Sequence, residues 1–112
     1  MKNLNISYLL DFYGNLLSNK MLNIMELYYM DDLSLAEIAQ QTGLTRQGVR
    51  DNIVRGEREL LKFENSLKLY EKFCTITNTL GDIKKTVKAG EMLSENDYNK
   101  IVKLIDDVEN II

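Results

Sequence analysis

The stretch from Leu33 to Leu60 reads LSLAEIAQQTGLTRQGVRDNIVRGEREL, and its spacing of small, apolar and turn residues is typical of a helix-turn-helix. Ala39 supplies a side chain without bulk where two helices would cross. Gly43, four residues later, tolerates the positive φ angle just past the end of the first helix. The stretch therefore predicts a surface that can lay one helix across a nucleic-acid groove.

Local capping signals predict where the two helices begin. Ser34 and Glu37 have the S-x-x-E spacing of a capping box, which predicts a short helix over residues 35–42. Thr45 is placed to serve as the N-cap of the second helix. Both helices are thus predicted from residues close to the turn.

The second helix has an inward and an outward face. Val49, Ile53 and Leu60 supply the inward apolar stripe, and at 100° per residue most of the polar residues between them point outward. Residues in the first turn of such a helix meet base edges, and arginines can hold phosphates or guanine. The candidate nucleic-acid-binding residues are Thr45, Arg46, Gln47, Arg50, Asp51, Arg55 and Arg58.

The charge of the chain argues against avid DNA binding. The sequence has 14 lysines and arginines against 17 aspartates and glutamates, a net charge of −3, whereas nucleic-acid domains are commonly basic. Asp51 lies near the middle of the outward face, where phosphate repels a carboxylate unless it accepts from a cytosine amine or pairs with Arg55. We expect a modest, salt-sensitive affinity that depends on dimerisation or on a partner.

Composition predicts an all-α protein. The chain has no proline, only six glycines and 45% hydrophobic residues in 112 positions, which favours long helices in one compact domain or a small module with an extension. We predict a three-helix core of the winged-helix superfamily type. A helix-turn-helix domain with an N-terminal helix is expected over residues 1–60. A long C-terminal helical extension over 61–112 is expected to form a dimer.

Apolar spacing predicts the remaining helices. A first helix ends near Ser18, a second covers about residues 20–30, and a last one follows a capping box of Ser94 and Asp97. The first helix has the stripe Leu4, Tyr8, Leu9, Phe12, Leu16 and Leu17, and the last has Ile101, Leu104, Ile105, Val108 and Ile112.

A long seam from Leu60 to Val87 resembles a coiled coil. Three successive steps of three residues between Leu67 and Ile76 break the heptad and should overwind or bend the helix locally. Gly81 is a candidate point for a split in this helix, and Gly90 is expected to end it. The seam consists of Leu60, Phe63, Leu67, Tyr70, Phe73, Ile76, Leu80, Ile83 and Val87.

Catalytic chemistry has little support. The chain has no histidine and one cysteine, so triads, zinc sites and most acid-base sites lack their usual residues, and it has no glycine-rich phosphate loop. We therefore predict no enzyme, no metal and no cofactor, and read Cys74 as a buried small hydrophobe. The sequence shows no membrane span and no signal peptide, and we expect a cytoplasmic protein.

The segments MELYYMDDLSLAEIA and TRQGVRDNI, within residues 9–73, closely resemble the YlxM family of small bacterial proteins. The helix-turn-helix of that family looks like region four of sigma factors, which recognises promoter DNA. In sigma-like helices the inward residue after Val49 falls at the position of Asn52, whereas here Ile53 takes that role. Base contacts therefore cannot be carried over from sigma factors.

The resemblance implies two alternative functions. The first is a DNA-binding regulatory protein that uses its helix-turn-helix as a homodimer. The second follows from the position of the family's genes, which tend to lie beside that of the signal recognition particle GTPase. It is a non-enzymatic accessory of that particle, docking on its GTPase or its RNA through the helix-turn-helix face.

Overall fold

The computed structural model describes residues 4–87 and 92–111. Over these residues the chain forms only helices, which confirms the predicted all-α class. The elements are α1 (Leu4–Tyr13), a 3₁₀ turn (Gly14–Leu16), α2 (Asn19–Tyr29), α3 (Leu35–Thr42), α4 (Arg46–Leu67), α5 (Leu69–Thr86) and α6 (Glu95–Ile111). None of the described helices is both long and apolar enough to cross a membrane.

The chain divides into two compact units, the first ending at Tyr70 and the second beginning at Glu71. The division expected after residue 60 falls inside α4, so the first unit includes the whole of that helix. Its core is formed by α1, α2, α3 and α4, and burial of these apolar side chains is the main stabilising term. The buried residues are Ile6, Leu9, Leu10, Tyr13, Leu17, Met21, Ile24, Met25, Ile38, Val49, Ile53 and Leu60.

The inward face predicted for the first helix is partly wrong. Its members Leu9 and Leu17 are buried, but Tyr8, Phe12 and Leu16 are exposed. The α-helix ends at Tyr13 rather than near Ser18, and a 3₁₀ turn follows. The face that packs into the core instead consists of Ile6, Leu9, Leu10 and Tyr13, whereas the side chain of Leu4 lies outside the described part.

Tyr8 and Phe12 have a different role, because both rings lie against Tyr70. The Tyr8 ring stacks on it with centroids 5.6 Å apart, and the Phe12 ring meets it edge-on at 5.7 Å. Such aromatic pairs add stability beyond the area that they bury. The apolar residues on the other side of α1 therefore hold the residue with which the first unit ends.

The long seam is interrupted between α4 and α5. α4 ends at Leu67, and Lys68 adopts the left-handed conformation with φ 56°. The bend predicted between Leu67 and Ile76 is thus a complete break of the helix at the start of that stretch.

Side chains of the core stabilise this break by capping α5. The Tyr13 hydroxyl donates to Glu64 Oε1 at 2.6 Å and accepts from the Leu69 N–H at 3.0 Å. The same Glu64 oxygen accepts from the Tyr70 N–H at 3.1 Å. The first amides of α5, which have no partner within the helix, are thereby hydrogen-bonded. Burial and the nearby Glu64 carboxylate raise the pKa of Tyr13, since both disfavour its ionised form.

The helices of the second unit have no buried core among their described residues. α5 runs through Gly81 without interruption, so the split considered there is wrong, and Gly90 lies outside the described residues. No described residue of α5 or α6 is buried. Cys74 is half-buried and free, which corrects its prediction as a buried residue.

α6 begins as its sequence predicts. Ser94 accepts a hydrogen bond from the Asp97 N–H at 3.1 Å, which is one half of the predicted capping box. The apolar stripe of α6 is only partly buried, and Ile105 is 43% exposed. The stripe residues Ile101, Leu104 and Val108 are half-buried, and Ile112 lies outside the described residues.

Candidate nucleic-acid interface

α3 has the predicted bounds and caps. The Ser34 hydroxyl accepts from the Glu37 N–H at 3.1 Å, and the Glu37 carboxylate accepts from the Ser34 N–H at the same distance, so the capping box is confirmed. At the other end Gly43 has φ 74°, and its N–H donates to the Ala39 carbonyl at 3.0 Å. A residue with a side chain would be strained in this conformation, so glycine fixes the turn.

α4 begins immediately after a second cap. The Thr45 hydroxyl accepts from the Gly48 N–H at 2.9 Å, as predicted for an N-cap. Val49 and Ile38 are completely buried where α4 meets α3. Ile53 is buried one turn later, while Asn52 is half-buried and donates to the Gly48 carbonyl at 2.9 Å. The outward face of α4 is therefore fixed by a packed inner face.

Gly56 also belongs to the inner face of α4, although its role was not predicted. A Cβ atom at this position would lie 2.7 Å from the Met25 sulfur, so the glycine lets α4 lie close to α2. Positions 49, 53, 56 and 60 follow a four-three-four spacing. This spacing contains the signal that could have placed Gly56 among the inward residues.

All of the predicted nucleic-acid-binding side chains are exposed. Most of them line one shallow, open depression of about 670 Å³ on the outer surface of α4, and Val54 lies among them with 41% of its surface exposed. Thr45 and Arg46 lie outside this depression at the start of the helix. The depression is lined by Gln47, Arg50, Asp51, Val54, Arg55 and Arg58.

Asp51 has a hydrogen-bonding partner on its own helix. The Gln47 side-chain amide donates to Asp51 Oδ1 at 2.9 Å, one turn away toward the start of α4. The partner considered from the sequence was Arg55, one turn further along. A neutral amide leaves the carboxylate charge in place, so the centre of the outward face presents an anion and a hydrogen-bond acceptor.

The middle of α4 is tied to α2 by a polar contact that sequence reasoning missed. The Tyr29 hydroxyl donates to Glu57 Oε1, and the Tyr28 ring lies edge-on to the Tyr29 ring at 5.0 Å. Burial and the Glu57 carboxylate raise the pKa of Tyr29. Both tyrosines are half-buried against the core.

A smaller apolar notch of about 230 Å³ lies beside the depression on α4. Tyr28 of α2 and Leu35 of α3 form one side of it. Ile53 and Val54 of α4 form another, and Arg50 and Glu57 complete its lining.

The crossing of α3 and α4, with its glycine turn and exposed second helix, defines a helix-turn-helix protein. The chain belongs to the family described as "Putative helix-turn-helix protein, YlxM / p13 like", which matches residues 1–107. This finding confirms the resemblance drawn from the sequence. The family is defined by its helix-turn-helix and not by a reaction.

Bacterial relatives align over nearly the whole chain. A UPF0122 protein of Shouchella clausii is 40% identical over 110 residues, which cover 98% of this chain and 96% of the relative. A UPF0122 protein of Clostridium acetobutylicum is 43% identical over 105 residues, 93% of this chain and 88% of the relative. A UPF0122 protein of Bacillus thuringiensis is 37% identical over 108 residues, 96% of this chain and 97% of the relative.

Proposed function

We propose that this protein is a non-enzymatic, DNA-binding regulator of the bacterial cytoplasm that inserts the first half of α4 into the major groove. The observation that carries the proposal is the division of α4 into two faces. Its inner face is buried up to Leu60, whereas the outward polar residues are exposed, namely Arg46, Gln47, Arg50, Asp51, Arg55 and Arg58. A rigidly packed helix with exposed arginines suits phosphate and base contact.

The proposed affinity is modest and sensitive to salt. Between Thr45 and Arg58 there are four arginines and two acidic residues, Asp51 and Glu57. Each arginine that neutralises a phosphate releases counterions, so affinity falls steeply as salt increases. The small excess of positive charge favours binding by two copies at once over binding by a single copy.

The proposal is tested by removing two arginines from the outward face. Arg50→Ala together with Arg55→Ala should lower the affinity for a mixed-sequence duplex at least tenfold at low salt, measured by fluorescence anisotropy. Lys84→Ala with Lys85→Ala is the matched control, because it removes the same charge from exposed positions of α5. Equal affinity of both variants and the wild-type protein, at unchanged helicity, would refute the assignment.

In this proposal the second unit forms a homodimer, which sets the spacing of the two DNA half-sites. Support comes from its large apolar side chains, which are exposed in a single chain, and from the absence of buried residues in the described parts of α5 and α6. An exposed apolar face of this kind favours association. The exposed residues include Phe73, Leu80, Tyr98, Val102 and Ile105.

The homodimer is tested on the surface of α6. Val102→Lys with Ile105→Lys should convert a dimer to a monomer in sedimentation equilibrium, because lysines would be placed in an apolar contact. Asn99→Lys, at an exposed polar position of the same helix, should leave the mass unchanged. A monomeric wild-type protein, or a double variant that remains dimeric, would contradict the proposal.

The apolar notch favours a second candidate function, in which the helix-turn-helix docks on a component of the signal recognition particle. Tyr28 and Leu35 offer a contact that DNA does not require, and a net charge of −3 tolerates a protein partner better than a polyanion. Affinity purification with and without nuclease separates the two candidates. Nuclease-sensitive recovery of DNA supports the regulator, whereas nuclease-resistant recovery of the targeting GTPase supports docking.

A further inference from the structure

We propose that Asp51 and Val54 read two adjacent pyrimidines in the major groove, a cytosine through the carboxylate and a thymine through the valine methyl groups. This inference rests on the proposed function and adds a base preference to it. Its basis is the chemistry of the depression on α4, which is lined by three arginines, Gln47, one carboxylate and one apolar side chain.

A carboxylate can contact only some of the base edges in the major groove. An ionised aspartate only accepts hydrogen bonds, and guanine and thymine present acceptors in the major groove. Adenine places its N7 acceptor beside its amine, which repels a carboxylate. Cytosine presents its N4 amine alone. The exposed Asp51 therefore favours cytosine over the other three bases.

The Asp51 carboxylate is oriented by Gln47. Gln47 donates to Oδ1 at 2.9 Å, which restricts the side chain and leaves Oδ2 available to a base amine. This contact preserves the negative charge, whereas an arginine partner would have neutralised it. Gln47 is thus a positioning residue for Asp51, and it retains one amide hydrogen of its own.

Val54 has no polar atom in its side chain and is 41% exposed among charged residues. It follows Asp51 by three positions, about 4.5 Å along the helix axis, which is comparable to the spacing of about 3.4 Å between stacked bases. The C5 methyl of thymine is the apolar group of the major groove. Val54 therefore suits a thymine next to the cytosine.

The experiment selects duplexes from a pool with randomised central base pairs, using the full-length protein and its Asp51→Asn variant. Asparagine makes a bidentate contact with adenine, so the variant should select adenine where the wild-type protein selects cytosine, with roughly tenfold discrimination and no change at the other positions. Gln47→Ala should weaken the cytosine preference without replacing it. Asp106→Asn, the same charge change on α6, should select the wild-type sequence.

Val54 is tested on the selected duplex by replacing the thymine with deoxyuridine, which lacks the methyl group. The wild-type protein should lose roughly fourfold in affinity, the value of one buried methyl, and Val54→Ala should bind both duplexes alike. Equal loss in the two proteins would overturn the role of Val54.

The outcomes of the selection distinguish base reading by Asp51 from DNA binding as such. An Asp51→Asn variant that selects the same cytosine would overturn the reading by Asp51 while DNA binding stands. A wild-type protein that retains duplexes without sequence preference would do the same. A wild-type protein that retains no duplex would overturn the proposed function itself, as would retention that depends on added protein or RNA.

Discussion

The two compact units of this chain bury their apolar residues very differently. The unit that ends at Tyr70 has a core shared by four helices, with Met25, Ile38, Val49 and Leu60 completely buried. The helices of the other unit have equally clear apolar stripes, yet none of their described residues is buried. The apolar stripe of a helix therefore does not by itself provide the surface against which the helix packs.

The largest expected difference between the units is the cost of removing a core leucine. Leu60→Ala should lower the free energy of unfolding by about 3 kcal/mol, because it leaves a cavity in a closed core. Leu80→Ala, at a residue that is 49% exposed, should change it by less than about 0.5 kcal/mol in the monomer. Urea titration followed by circular dichroism at low protein concentration measures both. Similar losses would show that the second unit has a core of its own.

The junction between α4 and α5 offers a smaller effect. Tyr13→Phe should cost about 1–2 kcal/mol, since it removes the hydrogen bond to Glu64 Oε1 and the acceptor of the Leu69 N–H. Tyr8→Phe keeps the ring that stacks on Tyr70 and serves as the control. Hydrogen exchange at the first amides of α5 should accelerate in Tyr13→Phe alone. Unchanged exchange there would mean that the caps do not hold this end of the helix.

Replacement of glycine by alanine should change the free energy of unfolding with opposite signs in the two units. Gly81→Ala should stabilise α5 by about 0.5–1 kcal/mol, because alanine restricts the unfolded chain and its Cβ would have no atom within 4 Å. Gly56→Ala gains the same propensity but forces the buried Met25 to move, so a net loss of about 1 kcal/mol is expected. Thermal unfolding of the two variants compares them directly. Stabilisation by Gly56→Ala would show that Met25 repacks freely.

Alkaline pH should destabilise the first unit through two of its tyrosines. Tyr13 and Tyr29 both have pKa values raised above the ordinary value of about 10, so each contributes stability that is complete below that pH. The contribution is lost as pH rises toward the folded pKa, because the unfolded tyrosine ionises first. The double variant Tyr13→Phe and Tyr29→Phe should show a flatter decline in stability above about pH 10. An identical decline would assign the effect to other groups.

The parts of the fold that the sequence predicted are those with signals close in the chain. The capping box of Ser34, the left-handed Gly43 and the N-cap Thr45 all act within four residues, and α3 has its predicted bounds. The break at Lys68 was not located because its caps come from Tyr13, which is 56 positions from Leu69. The three-residue steps after Leu67 predict a bend in this stretch, but they do not place it at Lys68 or predict a complete break.

Two further errors have physical causes. α1 has apolar residues on two faces, and the sequence gives no rule for choosing between Leu10, which enters the core, and Tyr8, which covers Tyr70. Gly56 was overlooked because a glycine inside a helix usually lowers the stability of that helix. Here it allows the close crossing of α4 and α2. The exposure of the candidate site followed correctly from the helical period, but the Gln47 contact to Asp51 depends on side-chain rotamers.

The close crossing at Gly56 has a consequence for how this surface could be altered. The position of α4 depends on the close contact between Gly56 and the buried Met25 of α2. A residue at position 56 too large for Met25 to accommodate would displace α4, and with it Asp51 and Val54, although no exposed residue is changed. A mutational screen confined to exposed residues would miss this way of changing the outward face of α4. The buried face of α4 therefore determines how its exposed face is oriented.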